Sequence, residues 1–145
     1  MKSTLKVTIN GTGFAADYTT RVYEMIPHKN RVTIDMAGVT SGKLENAQAF
    51  ATRHGISQAF ASHREMLAAV QPDIDNVACA NHAHGPYVIE AAQAGVPVIV
   101  LEKPPVIWPG YQEGQTATAE TRKHESMEYL GQVLDEVRGA NSKLL

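Results

Sequence analysis

Two hydrophobic rhythms alternate along the chain. Short β-branched runs mark strands, and stretches whose apolar residues recur three and four apart mark helices. Leu5 to Ile9 is a β-branched run that ends at Asn10-Gly11. Phe14 to Ile26 follows as a helix, with Phe14, Tyr18, Val22, Met25 and Ile26 near one face and Pro27 closing it. Val32 to Val39 reads as the next strand, and Leu44 to Arg53 as a helix ended by Gly55. Gln58 to Phe60 is a weak strand. Ser62-His63-Arg64-Glu65 has the capping-box pattern and opens a helix through Val70. Asp75 to Ala80 is a strand, Gly85 to Ala94 a helix stopped by Gly95, and Val96 to Leu101 the most apolar strand. A long helix runs from about Thr118 to Arg138, with Met127, Leu130, Val133, Leu134 and Val137 on one face. Ser142 to Leu145 looks like the opening of a further strand. Strict strand–helix alternation means βαβ units, hence a parallel sheet with right-handed crossovers. Parallel strands are covered on both faces and read as continuous apolar runs, as Val96 to Leu101 does. The pattern predicts an α/β fold: a Rossmann-type doubly wound parallel sheet with helices on both faces, in a single domain.

Composition narrows the function. The 145 residues suit one domain, 43% are hydrophobic and 19% charged, and the net charge is -2. No basic excess argues for nucleic acid or an anionic membrane as partner. The apolar stretch from Val96 to Leu101 is far short of the ~20 residues of a membrane helix, and the N-terminus shows no apolar signal-peptide core. Cys79 is the single cysteine, which excludes an intrachain disulfide and a Cys-rich zinc site, so a cytoplasmic location is expected. His82 and His84 stand near Cys79, but the spacing matches no zinc pattern, and no metal is expected. Cys79 reads as a buried strand residue. His28, His54, His63 and His124 read as surface residues, and Tyr18 and Tyr23 as core or interface.

The chemistry concentrates at strand ends. Gly11-Thr12-Gly13-Phe14-Ala15-Ala16 follows the first strand and opens the first helix, the context that a G-x-G-x-x-G/A dinucleotide turn requires. Gly11 permits the tight turn, Gly13 lets backbone approach a pyrophosphate, and Ala16 keeps helix close to strand. The helix N-terminus then offers N–H groups and a positive dipole end. A mononucleotide loop at Gly38 to Leu44 is rejected: three residues separate its glycines, and Leu44 stands where a magnesium-binding hydroxyl belongs. NAD specificity usually shows as an acid at the end of the second strand. Asp35 falls inside the strand, some residues early. The strand end carries Thr40, Ser41 and Lys43, two hydroxyls and a cation, which suits a 2′-phosphate. The expected cofactor is NAD(P), leaning to NADP(H).

Three segments, in order, resemble the glucose–fructose oxidoreductase, inositol dehydrogenase and rhizopine catabolism (Gfo/Idh/MocA) family. They are the Gly11–Ala16 turn, Ala80-Asn81-His82-Ala83-His84, and Glu102-Lys103-Pro104. The second is similar to the family's P-N-x-x-H turn, with Ala80 in place of the proline, and the third to its E-K-P signature. Gly42 to Gly55 is also family-like, and the likeness covers essentially the whole chain. The resemblance implies an oxidoreductase acting by hydride transfer on a hydroxyl of a sugar, polyol or related substrate. It implies Lys103 as the catalytic residue, near nicotinamide and substrate hydroxyl. It also implies a cofactor cleft lined by Gly11, Thr12, Gly13, Phe14, Ala15, Asn81, His82, Glu102 and Lys103, and a Lys103–Pro104 bond that is often cis. Lys103 has an independent claim, since it follows a buried strand at the carboxyl end where ligands bind in open α/β sheets.

Family members carry a second, substrate-holding domain. Residues 1–145 resemble the cofactor domain alone, so little or no sugar turnover, and a monomer, is expected of this chain by itself. Pro105 to Gln115 departs from the family's continuation. Its Trp108 and Tyr111 either stack on a sugar or nicotinamide or serve only packing. A non-catalytic dinucleotide sensor or regulatory module on the same fold is the alternative function, and an interaction domain with a vestigial cleft a third.

Overall fold

The structure, a computed structural model, describes residues 4–26, 32–111 and 114–145. Pro27 and His28, read above as a helix stop and a surface residue, lie outside the described residues. In chain order the elements are β1 (Thr4–Asn10), α1 (Phe14–Met25), β2 (Thr33–Thr40), α2 (Leu44–His54), β3 (Ala59–Phe60), α3 (His63–Val70), β4 (Ile74–Val77), α4 (His84–Gln93), β5 (Val98–Leu101), α5 (Ala119–Gly139) and β6 (Lys143–Leu144). Every strand pairing is parallel, and the sheet runs β3-β2-β1-β4-β5-β6. The strand order reverses between β1 and β4, which opens a crevice at their carboxyl ends. Register brings the last residues of four strands side by side there: Asn10 pairs with Thr40 and with Val77, and Val77 with Leu101.

Helices cover both faces of the sheet. On one, Ala16 of α1 and Ala47 and Phe50 of α2 pack with Val7, Ile9 and Val39. On the other, Leu67, Val88 and Ala91 of α3 and α4 join Val133 and Val137 of α5 over Val77 and Ile99. The predicted capping box holds at Ser62, whose hydroxyl accepts from Glu65 N at 3.2 Å. Thr118 likewise caps α5, accepting from Thr121 N at 3.1 Å. Ser142 to Leu145 does join the sheet, as β6 beside β5.

Several sequence expectations are corrected. The apolar stripe of α1 faces away from the sheet: Phe14 is 88% exposed, Tyr18 64% and Met25 77%. The buried face is made of Ala16 and Thr20, small enough to bring the helix backbone close to β1. Strand β4 ends at Val77, because Ala78 to Ala80 turn away into a single 3-10 turn over Asn81–Ala83. Cys79 therefore lies in the connection between β4 and that turn, only partly buried. Strand β5 begins at Val98. Pro97 has no N–H to donate, and Val96 N is used to close α4 on Ala91 O.

His54 and His63 are not surface rings. Their side chains are 3% and 1% exposed. Each is buried against two carboxylates distant in sequence, those of His54 both from α1 and those of His63 from β4 and α4. His54 lies 2.9 Å from Asp17 and 3.0 Å from Glu24, and His63 lies 2.8 Å from Asp75 and 2.6 Å from Glu90. Among the described residues no helix is long and apolar enough to cross a membrane, and no cluster of His, Cys, Asp and Glu could hold a metal ion.

Candidate functional site

The crevice is built on the turn after β1. Gly11 has a φ of 124° and its N–H donates to Thr40 O at 2.9 Å. A Cβ at this position would stand 2.4 Å from Ala78 O, so the backbones of two strand ends meet where only glycine fits. Ala78 N in turn donates to Asn10 O at 2.9 Å. Two residues on, Gly13 forms the N-cap of α1 with extended backbone and no side-chain cap. A Cβ there would meet no atom within 4 Å, so it would project into open space at the helix terminus. The first N–H groups of α1 are thus unshielded by any side-chain cap.

A cleft of about 450 Å³ lies over this turn. Its walls are Asn10 to Ala15, then Ser41 and Gly42 after β2, and Ala78 to Ala80 with His82, Ala83 and Tyr87 after β4. Asn10 is 2% exposed, and its Nδ2 has no hydrogen-bond partner among the described residues. A buried amide N–H without an acceptor is costly, and a ligand oxygen in the cleft would relieve it. The Cys79 thiol is pushed up to about 11 by burial, so it stays protonated at neutral pH and supplies no thiolate. Uncapped helix N–H groups, an open glycine position and an orphan amide donor together fit the oxygens of a diphosphate.

The predicted residues divide. Gly11, Thr12, Gly13, Phe14, Ala15, Ser41 and His82 wall the cleft. The Thr12 and Ser41 hydroxyls stand 3.2 Å apart, tying the turn to the end of β2. Thr40 is turned inward: it is 2% exposed and its hydroxyl donates to Phe60 O at 3.2 Å. That corrects its expected place on the cofactor surface. Lys43 is the exposed N-cap of α2, outside the cleft wall. Asp35 pairs with Lys6 in mid-strand, remote from the strand end. Asn81 opens onto an adjoining cavity that shares Ala80 and His82 with the cleft. Glu102 and Lys103 follow β5, beyond the cleft wall. The Glu102 carboxylate accepts from Lys103 N at 3.1 Å, the Lys103 side chain is exposed, and the Lys103–Pro104 bond is cis.

The sequence places His84 in the P-N-x-x-H-like turn but gives it no site role; in the fold it joins the two strand ends. It is fully buried, and its ring nitrogens lie 2.7 Å from Pro104 O and 3.2 Å from Cys79 O. The turn after β5 is therefore held against the turn after β4. Asn10, Ala78 and Tyr87 were missed as well. The signal for the first two was positional: they end or follow the strands flanking the switch point.

Residues 5–131 match the family described as "Oxidoreductase family, NAD-binding Rossmann fold". The chain is 33% identical over 107 residues to D-glucoside 3-dehydrogenase of Escherichia coli K12, a match covering 74% of this chain and 29% of that protein. An NAD-binding oxidoreductase from Klebsiella pneumoniae superposes with a TM-score of 0.79 at 18% identity, over 99% of this chain and 34% of its own. Levoglucosan dehydrogenase, solved with NADH and levoglucosan, superposes with a TM-score of 0.72 at 20% identity, over 97% of this chain and 34% of its own. The chain thus spans about a third of the length of the proteins it matches. With the glycine turn in place at the β1–β4 switch point, it belongs to the Gfo/Idh/MocA oxidoreductase family and carries that family's NAD-binding Rossmann fold.

Proposed function

We propose that residues 1–145 form the dinucleotide-binding domain of an oxidoreductase acting on a hydroxyl of a sugar, polyol or related substrate, with a preference for NADP(H). The observation that carries this reading is the turn at Gly11–Gly13. One glycine is jammed against Ala78 O and the next stands open at an uncapped helix terminus. The bound dinucleotide would supply hydride chemistry at its nicotinamide. The chain's own residues would bind and orient it: Gly11 to Ala15 at the phosphates, Ser41 at the ribose, Asn81 and His82 toward the nicotinamide end. Lys103 would hold or pass a proton at the substrate hydroxyl, from its place at the carboxyl end of β5. Glu102 fixes the Lys103 backbone through its carboxylate.

The NADP(H) preference rests on the residues just after β2. No acid stands there to accept from a ribose 2′-hydroxyl, while the Ser41 hydroxyl and the Lys43 ammonium suit a 2′-phosphate. Side-by-side titration with NADPH and NADH, followed by nicotinamide fluorescence, tests it. Saturable binding with NADPH tighter is expected. Tighter NADH would overturn the preference, and binding of neither would overturn the dinucleotide reading. A substrate domain would have to complete the site, so turnover of a polyol by this chain alone is expected to be negligible. A substantial turnover number would refute that.

A further inference from the structure

A second cavity of about 550 Å³ adjoins the cleft, walled by Asn81, His82, Ile107, Trp108, Tyr111 and Arg122. His82 and Ala80 belong to both, so the two spaces share one wall at the end of β4. Its volume falls in the range of small-molecule sites. Most of it comes from the loop after Lys103-Pro104, the stretch in which this chain departs from the family pattern, and from the first turn of α5.

The aromatic wall is fixed. Trp108 Nε1 donates to the Glu125 carboxylate of α5. Gly110 is buried against the indole, where a Cβ would come within 2.3 Å of Trp108 Cζ2. The ring is thereby held from two sides. Tyr111 is 65% exposed, and Ile107 adds apolar surface. At the polar side, Arg122 is anchored by one bond, from Nη1 to Ala117 O at 2.7 Å. A guanidinium has five donors in a fork, and no carboxylate pairs with this one among the described residues. Among the described residues no Asp or Glu lines the cavity. Glu125 meets the indole through one carboxylate oxygen and is not itself part of the wall.

We propose that this cavity takes a sugar ring bearing a carboxylate, of the hexuronate class, with the ring on Trp108 and Tyr111 and the carboxylate on Arg122. The aromatic faces take the apolar face of a pyranose, as amphipathic rings at recognition sites do. The Asn81 amide and His82 imidazole supply donors and acceptors for its hydroxyls. Arg122 matches a planar carboxylate with two parallel, charge-assisted N–H···O bonds, where the hydroxyls of a neutral sugar would accept without the charge. The inference rests on the proposed dinucleotide function and names the substrate class of that site.

Trp108 is the sole tryptophan of the chain, so its fluorescence and its single indole N–H resonance report on this cavity alone. The protein, saturated with NADP+, is titrated with D-glucuronate and in parallel with D-glucose. Glucuronate is expected to shift both signals saturably and to bind at least about tenfold more tightly than glucose, the discrimination of one charged hydrogen-bonded pair at a partly exposed site. Arg122→Ala should abolish that preference while leaving NADPH affinity unchanged, and Arg122→Lys should restore only part of it. Equal binding of the two sugars, or a preference that survives Arg122→Ala, overturns the role of Arg122. No response to either sugar in a sample that binds NADPH overturns the cavity's assignment and leaves the dinucleotide function standing. Failure to bind NADPH in the untreated protein strikes the dinucleotide function instead.

Discussion

Alanine at Gly11 would place a methyl carbon 2.4 Å from Ala78 O, on a residue whose φ is 124°. Both features penalise any side chain, and strained left-handed backbone alone costs about 1–3 kcal/mol. Gly11→Ala should therefore lower unfolding free energy by at least that amount in urea and also abolish NADPH binding. Gly13→Ala makes a useful contrast. Its Cβ meets no protein atom, so stability should move by about 1 kcal/mol or less, the difference between glycine and alanine at an N-cap. Dinucleotide affinity should still fall sharply, since the methyl group would stand where phosphate approaches. A Gly13→Ala variant with unchanged NADPH affinity would show that the turn does not contact the ligand. Gly11 was legible in the sequence because its geometry leaves only one residue type, whereas the need for glycine at Gly13 rests on the proposed approach of a phosphate. Asn10 was not, since a buried orphan amide is visible only once its surroundings are known.

Helix α1 shows why element order was easier to read than element orientation. The i, i+4 recurrence of Phe14, Tyr18 and Val22 identified a helix correctly. It did not say which face meets the sheet, and there the small residues Ala16 and Thr20 won because a dinucleotide turn needs helix and strand close. The histidines failed for another reason. His63 sits in a polar stretch, but its partners come from β4 and α4, 12 and 27 residues away. Thr8 Oγ1 donates to Asp75 at 2.7 Å, Arg64 pairs with Glu90 at 3.0 Å, and the Tyr87 ring lies edge-on to the imidazole. One charged network thus joins β1, β4, α3 and α4 beneath the sheet's centre. Burial pulls the His63 imidazolium down, but the hydrogen bonds and charges of Asp75 and Glu90 outweigh it, and the net shift is upward from 6.5. A raised folded value means this stabilisation is complete below about pH 6.5. It is lost as pH rises through the folded value, where the ring between the two carboxylates becomes neutral. His63→Gln should destabilise by about 3 kcal/mol or more at pH 6, as breaking a buried pair does, and by less at pH 9. A difference between wild type and variant that is flat across this range, in urea melts, would refute the charged network.

At the scale of the molecule, the sheet exists to bring four strand ends together, and the ligand completes what the chain leaves open. The doubly wound parallel sheet followed from strict βαβ alternation, and the family from three short motifs at strand ends. The cleft's second wall was hidden, because His84 acts through two backbone carbonyls that belong to separate turns. The crevice joins the ends of β1, β2 and β4, so a ligand there bridges elements that unfold together. Binding to the folded state alone stabilises by about 2.7 kcal/mol at one hundred times Kd. For a chain of this size that corresponds to a rise in Tm of about 5–11 °C. NADPH at that saturation should produce such a rise by calorimetry, and NADH at the same concentration a smaller one. Lys103→Ala should keep the whole NADPH shift, because Lys103 lies beyond the cleft wall and is expected to act on the substrate hydroxyl. Lys43→Glu, which reverses the charge proposed to meet a 2′-phosphate, should shrink the NADPH shift and leave that of NADH unchanged or larger. If Lys43→Glu lowers both shifts equally, the lysine acts on the pyrophosphate or on the fold and not on a 2′-phosphate. If Lys103→Ala removes the NADPH shift, the turn after β5 is part of the dinucleotide site itself, and the division of labour between cleft and lysine is wrong.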